Sequence, residues 1–85
     1  MIRAEIHITL KPGVLDPQGA TLKRSLEAMG YGGIQDIRFG KFLQVIFQGS
    51  DTEAVRPQVE RMCQEILSNP VIEAYRYQLK VEADG

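Results

Sequence analysis

Residues 2–10 alternate apolar and polar side chains without a break. The apolar ones occupy the even positions, namely Ile2, Ala4, Ile6, Ile8 and Leu10. The polar ones between them are Arg3, Glu5, His7 and Thr9. Because successive side chains of a strand point to opposite faces, this pattern predicts a β-strand with one buried and one open face. The fold must therefore cover one side of a sheet with apolar side chains from elsewhere in the chain.

A helix is predicted after the turn that ends this strand. Pro12 and Gly13 interrupt the alternation, as turn residues do. Asp16 can cap the unpaired N–H groups of a helix, and Pro17 suits the first helical position because its missing N–H costs nothing there. Apolar residues then recur at helical spacing up to a glycine. We expect this helix to run from about residue 17 to about residue 29.

A second helix is predicted from an apolar stripe further along the chain. Its members are Val55, Val59, Met62, Cys63, Ile66 and Leu67. Pro57 is difficult to place, because a proline inside a helix removes a hydrogen bond and clashes with the preceding turn. We therefore expect Pro57 in or near the first turn, with the regular helix beginning at about residues 53 to 55. Asn69 and Pro70 end this helix.

Three further segments are predicted as strands. Residues 34–39 and 42–47 are rich in branched and aromatic side chains and would form a hairpin whose turn is Gly40-Lys41. Residues 71–81 alternate tyrosine and aliphatic side chains with polar ones and form the last strand. Residues 82–85 are expected to be a frayed tail.

These elements predict an α+β domain of ferredoxin-like topology. The order is strand, helix, strand, strand, helix, strand (βαββαβ), which combines a four-stranded antiparallel sheet with two helices on one face. The whole chain, residues 1–85, would form one domain. Phe42 and Ile46 would project from the open face, which has no helix to cover it. Since an exposed apolar patch usually marks an interface, we expect the chain to self-associate there as a homodimer or higher oligomer.

Composition argues against several classes of partner. With 10 basic and 11 acidic residues the formal net charge is -1, so no electrostatic attraction favours nucleic acid or an acidic membrane. No stretch approaches the roughly 20 apolar residues of a membrane helix. The one cysteine, Cys63, excludes an internal disulfide and fits a reducing compartment. We therefore expect a cytoplasmic protein that binds neither nucleic acid nor a membrane.

No residue pattern indicates catalysis, a metal or a bound cofactor. His7 is the only histidine, and neither a nucleophile–base pair nor a metal site can be completed from the sequence around it. Cys63 lies in an apolar stripe, where a thiol behaves as a small hydrophobic group. The carboxylates are scattered over caps, turns and polar helix faces, so no paired acid and base is expected. These observations predict a small domain that is not an enzyme by itself.

Three segments of the chain resemble a known family. They are LKPGVLDPQG at 10–19, IRFGKF at 37–42 and MCQEILSNPVIEAYRYQL at 62–79. Their order and spacing are similar to those of the PurS family, the small subunit of phosphoribosylformylglycinamidine synthase. Two positions depart from the family pattern. Phe39 stands where a smaller aliphatic or a polar residue is more common, and Pro57 lies in a helix that is usually uninterrupted.

The resemblance implies a role in purine biosynthesis. The complete enzyme converts formylglycinamide ribonucleotide, glutamine and ATP to formylglycinamidine ribonucleotide, glutamate, ADP and phosphate. A glutaminase subunit releases ammonia, and a large synthetase subunit uses ATP and magnesium to activate the substrate amide. The PurS-like subunit of this ligase would be a homodimeric adaptor between the other two, with no catalytic residue and no cofactor of its own.

Candidate contact residues follow from the motifs and from the open face. They are Lys11, Asp16, Gln18, Arg38, Lys41, Phe42, Ile46, Asn69 and Arg76. The loop at 11–19 and the predicted turn at 38–41 are surface segments of mixed charge, so we expect them to contact the larger subunits. The alternative is a ligand-binding regulatory domain of ferredoxin-like topology, which a small metabolite would stabilise. A stand-alone enzyme lacks a plausible set of catalytic residues.

Overall fold

The computed structural model describes residues 1–83, and positions 84 and 85 of the predicted tail lie outside the described residues. The elements in chain order are β1 (Ile2–Leu10), α1 (Pro17–Ala28), β2 (Gly40–Phe47), α2 (Thr52–Met62), a π-helical turn (Cys63–Leu67) that continues α2, and β3 (Glu73–Val81). β1 is the central strand, and β2 and β3 pair with it on either side, both antiparallel. The α+β class and the predicted places of β1, α1 and β3 are confirmed.

The core lies between β1 and α2. The buried apolar side chains are Ile2, Ala4, Ile6, Ile8, Val55, Val59 and Cys63. The polar side chains of β1 face the other side of the sheet, as the alternation predicts. Cys63 is a core residue, and burial raises the pKa of its thiol. Since the thiolate is the reactive form, this thiol is inert at neutral pH.

The predicted four-stranded sheet is wrong, because the sheet has three strands. Residues 34–39 pair with no strand among residues 1–83, and the predicted turn residues Gly40 and Lys41 instead begin β2, opposite Thr9 and Ile8. The segment before β2 is held by α1 and its cap. The Phe39 N–H donates to the Asp16 carboxylate at 2.8 Å, and Lys23 Nζ donates to the Gln35 carbonyl at 3.1 Å. These side chains take backbone partners that a fourth strand would have required.

The second helix begins earlier than expected. Asp51 caps it by accepting a hydrogen bond from the Glu53 N–H at 3.1 Å, and Thr52 is its first residue. Pro57 therefore lies in the second turn of α2 rather than in or near the first, which corrects the predicted start. The helix loses only the bond that residue 57 would have donated to the Glu53 carbonyl.

The helix α1 contributes no side chain to the core, so the prediction that both helices cover the sheet holds for α2 only. The one buried residue of α1 is Gly19. Met29, which follows α1 and caps its C-terminus, is 72% exposed. The radius of gyration is 16.8 Å, whereas a compact chain of this length would have about 12 Å. A single chain is therefore elongated and leaves an apolar helix face without cover.

Candidate subunit-contact surfaces

The open face of the sheet is apolar along β2 and charged along β3. Phe42 and Ile46 are each 52% exposed. The His7 ring lies against the Phe42 ring, with 4.7 Å between their centroids. On the other side of β1, Arg76 and Lys80 extend from β3. The predicted exposure of Phe42 and Ile46 is confirmed, and their part in self-association stays a prediction.

Some of the charged side chains on this face form ion pairs. Lys80 Nζ lies 2.6 Å from Glu5 Oε1, and the hydrogen bond from Lys80 holds the pKa of the Glu5 carboxyl below its ordinary value. Arg3 pairs with Glu82 at 2.9 Å. The side chain of Arg76, a predicted contact residue, forms no ion pair or hydrogen bond with another residue in the described range 1–83. Its guanidinium is therefore available to a partner.

The predicted contact residue Asp16 is buried and acts within the chain. Its carboxylate accepts hydrogen bonds from the backbone N–H groups of Gly19 at 3.0 Å and Phe39 at 2.8 Å. These two bonds hold the pKa of the Asp16 carboxyl below its ordinary value. Asp16 therefore positions the loop and α1, and it presents little surface to a partner.

Two predicted contact cations tie loops together. Lys11 Nζ donates to the Pro70 carbonyl at 2.6 Å, and the Lys11 N–H donates to the Ile72 carbonyl at 2.8 Å. Arg38 donates to the Val14 carbonyl and to Asp36 Oδ2, the latter at 2.9 Å. The loop after β1 is thus joined to the turn before β3 and to the segment before β2. We call this end of the molecule the loop corner (residues 11–16, 36–41 and 68–73).

Glu73 connects the remaining motif residues of the loop corner. Its Oε1 accepts from the Asn69 N–H at 2.7 Å, and its Oε2 lies 3.7 Å from Lys41 Nζ. Asn69 also shapes the turn, since its side-chain oxygen accepts from the Val71 N–H at 3.1 Å. The structure therefore brings Lys41 and Asn69 together through a carboxylate that sequence reasoning did not select.

Two depressions lie beside Gln18, and neither resembles a ligand pocket. One is a polar cavity of about 210 Å³ whose lining includes Asp16, Gln18, Lys41 and Glu73. The other is an open, apolar groove of about 450 Å³ between α1 and Phe39. Small-molecule sites are usually enclosed and occupy about 300 to 1,000 Å³. The polar cavity is smaller than such sites, and the groove is open to solvent.

The loop corner also carries exposed apolar side chains that sequence reasoning missed. Leu15 is 77% exposed and Val71 is 81% exposed. They lie on two loops that Lys11 joins by its bonds to the Pro70 and Ile72 carbonyls. A loop leucine or valine gives no sequence signal for an interface, because its exposure depends on how the loops are packed.

Glu60 is a second residue that sequence reasoning did not single out for a role. Its two carboxylate oxygens accept hydrogen bonds from the Tyr75 and Tyr77 hydroxyls at 2.7 and 2.8 Å. Gln64 donates to the Tyr75 hydroxyl at 3.2 Å. The bonds from Tyr75 and then Tyr77 hold the pKa of Glu60 below its ordinary value. The Glu60 carboxylate is thus an ionised acceptor that holds α2 against β3.

Within residues 1–83, no three histidine, cysteine, aspartate or glutamate side chains are grouped so that they could hold a metal ion. The helices of the same range are all too short or too polar to cross a membrane.

Comparisons with known proteins agree with this architecture. The family model for PurS, described as phosphoribosylformylglycinamidine (FGAM) synthase, matches residues 3–81. The PurS subunit of Methanocaldococcus jannaschii is 39% identical over 82 residues, 96% of each chain. The PurS subunit of Bacillus subtilis is 38% identical over 80 residues, 94% of each chain.

Solved structures superpose on most of the chain. The Bacillus subtilis PurS structure has a TM-score of 0.84 at 37% identity and covers 95% of this chain and 100% of its own. A chain in a structure of PurLQS from Thermotoga maritima has a TM-score of 0.81 at 26% identity and covers 93% of this chain and 96% of its own. Sequence and fold agree over nearly the whole length. The chain therefore belongs to the PurS family of phosphoribosylformylglycinamidine synthase subunits.

Proposed function

We propose that this chain is the non-catalytic adaptor of FGAM synthase, holding a glutaminase subunit against a large synthetase subunit. The observation that carries the proposal is the near full-length likeness to a chain of the PurLQS assembly. The chemistry of the described residues agrees, since Glu60 and Asp16 are engaged in structural hydrogen bonds and Cys63 is buried. In this proposal ATP and magnesium are used by the synthetase subunit, and the adaptor holds no cofactor.

The physical need for an adaptor comes from ammonia transfer. Ammonia that escapes into water is largely protonated and loses its nucleophilic lone pair. The site that releases it and the site that consumes it must therefore be docked with solvent excluded. A small subunit with rigid loops at one end and an open sheet face can supply surfaces for such docking without titrating groups of its own.

We place the contact with the larger subunits at the loop corner and at Arg76. Leu15 and Val71 offer exposed apolar side chains there, and exposed apolar groups ringed by polar ones are typical of interfaces. The cations Arg38 and Lys41 hold this corner in shape through Val14 and Glu73. Charge reversal at both cations would therefore change the conformation of the loop corner as well as its charge. Substitutions at Leu15 and Val71 test the contact surface more directly.

We also propose that the adaptor self-associates as part of this function. Phe42 and Ile46 on the sheet, and the apolar face of α1, are left uncovered by a single chain. A homodimer is the simplest assembly that covers the same surface on both copies. A cytoplasmic location fits a chain with one cysteine, because reducing compartments keep thiols unpaired.

The first experiment reconstitutes the enzyme from purified subunits of one organism. Product formation is measured with glutamine and, separately, with ammonium chloride, with and without this chain. We expect glutamine-dependent activity to require the chain and ammonia-dependent activity to survive without it. If omission of the chain changes neither rate, the adaptor function is wrong.

A variant then tests the loop corner. The double change Leu15→Asp and Val71→Asp should weaken assembly with the larger subunits, measured by sedimentation of the mixture, and should lower glutamine-dependent activity. Ile66→Asp is the matched control, because Ile66 is 79% exposed but belongs to the π-helical turn after α2. Equal assembly of the double variant and the control would remove the loop corner from the proposal.

A further inference from the structure

Two neighbouring rows of side chains on the open face of the sheet differ in size. The first row crosses the three strands with large side chains, namely Phe42, His7 and Arg76. The second row has small ones, namely Gly40, Thr9 and Ala74. The step between the rows leaves a hollow of about 160 Å³ on the open face. Its lining consists of His7, Thr9, Ala74, Tyr75 and Arg76.

The hollow offers polar groups that can bind an anion. They are the Arg76 guanidinium, the Thr9 hydroxyl and the His7 imidazole, and none of these side chains forms a hydrogen bond or ion pair within residues 1–83. Among the described residues that line the hollow, none carries a carboxylate. A second depression, on the other side of Arg76, has Glu5 in its lining, and that carboxylate repels an anion. An anion that approaches Arg76 is therefore directed to the hollow beside Thr9.

Arg76 is unusual among the cations of the described range. The chain has 10 lysine and arginine side chains, all within residues 1–83. All of them except Arg76 contact a carboxylate, carbonyl or hydroxyl oxygen of the same chain. A guanidinium is planar and can bind one carboxylate through two parallel hydrogen bonds. The charge of Arg76 is therefore free to bind a carboxylate from another molecule.

The size of the hollow and the charge of the chain indicate what kind of anion fits. Small-molecule sites usually occupy about 300 to 1,000 Å³, so a hollow of about 160 Å³ suits a single side-chain carboxylate better than a nucleotide. The formal net charge of -1 gives no general attraction to nucleic acid. Phe42, which is 52% exposed at the other end of the first row, adds an apolar contact point for the same partner.

A second copy of this chain, laid face to face, does not supply the carboxylate. The carboxylates that meet the open face within residues 1–83 are those of Glu5 and Glu82. Glu5 lies 2.6 Å from Lys80, and Glu82 lies 2.9 Å from Arg3. Since both are already paired, the face of a second copy brings Arg76 no free carboxylate. The complementary group therefore belongs to a different protein.

We propose that the hollow formed by His7, Thr9 and Arg76 binds an aspartate or glutamate side chain from an acidic segment of a larger FGAM synthase subunit. An apolar side chain of the same segment lies against Phe42. This inference rests on the proposed adaptor function and specifies the chemistry of one of its contacts. Phe42 and Arg76 are two strand spacings apart, about 10 Å, so the partner presents its carboxylate and its apolar group at that separation.

Arg76→Gln removes the charge and keeps a side chain of polar character. It should weaken assembly with the larger subunits by roughly tenfold or more, measured by sedimentation velocity, and the remaining affinity should depend less on salt. Arg61→Gln is the matched control, because it changes the net charge equally and Arg61 is an exposed residue of α2. Wild-type assembly by Arg76→Gln, or equal weakening by both variants, would overturn the proposal.

A cross-link identifies the chain that supplies the carboxylate. Arg76→Lys places an amine in the hollow, and a carbodiimide joins an amine to a carboxylate in contact with it as an amide, while the reagent takes up the water that is lost and leaves as a urea. Mass spectrometry should find position 76 joined to an aspartate or glutamate of a larger subunit. Lys80, 2.6 Å from Glu5, is the internal positive control. A link from position 76 to a second copy, or none while Lys80 and Glu5 are joined, would overturn the proposal.

The isolated chain tests the other occupants. Arg76→Gln alone in solution should sediment as the wild type does, and a change in its mass would assign the hollow to a contact between copies. Inorganic phosphate, titrated into the isolated chain and followed by the NMR signals of His7, should not saturate in the micromolar range. Saturation there would make the hollow a site for free anions. Either result would overturn docking of an acidic segment.

These outcomes are distinguishable from failure of the adaptor function. If omission of the chain abolishes glutamine-dependent activity while Arg76→Gln assembles as the wild type does, only the carboxylate site is rejected. If omission changes neither rate while position 76 is cross-linked to a larger subunit, only the adaptor function is rejected.

Discussion

The backbone N–H of Phe39 donates a hydrogen bond of 2.8 Å to Asp16 Oδ2, although the two residues are 23 positions apart. The other oxygen of the same carboxylate accepts from the Gly19 N–H at 3.0 Å. One side chain therefore caps α1 and also anchors the segment that leads into β2. This double role explains why Asp16 is buried in a loop that is otherwise exposed.

Replacement of Asp16 should lower the melting temperature according to how many of its two hydrogen bonds are lost. Asp16→Asn keeps one acceptor oxygen, whereas Asp16→Ala loses both bonds and leaves the Phe39 N–H unpaired. We expect the alanine variant to melt roughly 5 to 10 °C below the wild type, with the asparagine variant between them. Asp51→Ala is the control, because Asp51 caps α2 through one exposed bond. Equal melting temperatures for the two Asp16 variants would contradict this account.

Gly19 should tolerate no side chain. A Cβ atom added there would overlap the Ile37 carbonyl group. Gly19→Ala should therefore push residues 34–39 away from α1, even though alanine is favoured over glycine in a helix by about 1 kcal/mol. Gly32→Ala is the matched control, since a Cβ at Gly32 has nothing within 4 Å. Calorimetry should show a lower melting temperature for the first variant only, and a stabilised Gly19→Ala would refute the close contact.

The Glu60 hydrogen bonds should make stability depend on pH in the acid range. Bonds from Tyr75 and then Tyr77 lower the folded-state pKa of Glu60. A depressed pKa adds stability above the unfolded-state pKa of about 4.3, and this contribution is lost as the pH falls through the lower folded-state value. We expect Glu60→Gln to reduce the urea midpoint at neutral pH, and the gap to the wild type to close at low pH.

The control for this experiment is Glu65→Gln. Glu65 is exposed and lies 3.7 Å from Arg61, and exposed ion pairs contribute little to stability. Its urea midpoint should stay close to that of the wild type at every pH. A Glu60→Gln gap that is the same at neutral and acid pH would show that the hydrogen bonds to the ionised carboxylate are not its cause.

The central strand should dominate stability. Ile6 is fully buried on β1, so Ile6→Ala should cost about 2 to 5 kcal/mol of unfolding free energy and Ile6→Val about 1 kcal/mol. The conservative variant keeps the comparison measurable if the alanine variant does not fold. Ile66→Ala is the control, because Ile66 is 79% exposed, and it should change the unfolding free energy by less than about 0.5 kcal/mol. Similar losses at both isoleucines, measured by urea titration, would place the core elsewhere.

The structural features that were predicted correctly are those that neighbouring residues determine. The alternation in β1 predicted which side chains are buried, and the Asp16-Pro17 pair predicted the start of α1. The opposite faces of β2 and β3 were likewise correct, including the exposure of Phe42 and Ile46. Each of these depends on a period of two or on bonds within one helical turn, which adjacent residues determine.

The errors arose where two distant segments compete for the same backbone groups. Residues 34–39 have strand-forming side chains, but Asp16 and Lys23 supply hydrogen-bond partners to Phe39 and Gln35, so no fourth strand forms. The misplacement of Pro57 has a local cause instead, since Asp51 caps α2 one residue before Thr52 and leaves the proline in the second turn. Motif residues chosen as contacts, such as Lys11 and Arg38, hold loops of the same chain together.

The sequence by itself determined the places of β1, α1 and β3, the buried face of β1 and the family of this protein, because these follow from short-range periodicity and from motifs at set spacings. Only the tertiary structure decided the number of strands, the exposed position of α1 and the pinning of α2 by Glu60. Those features depend on contacts between groups from distant parts of the chain. The free energy of these contacts is a property of the packed molecule rather than of any local segment.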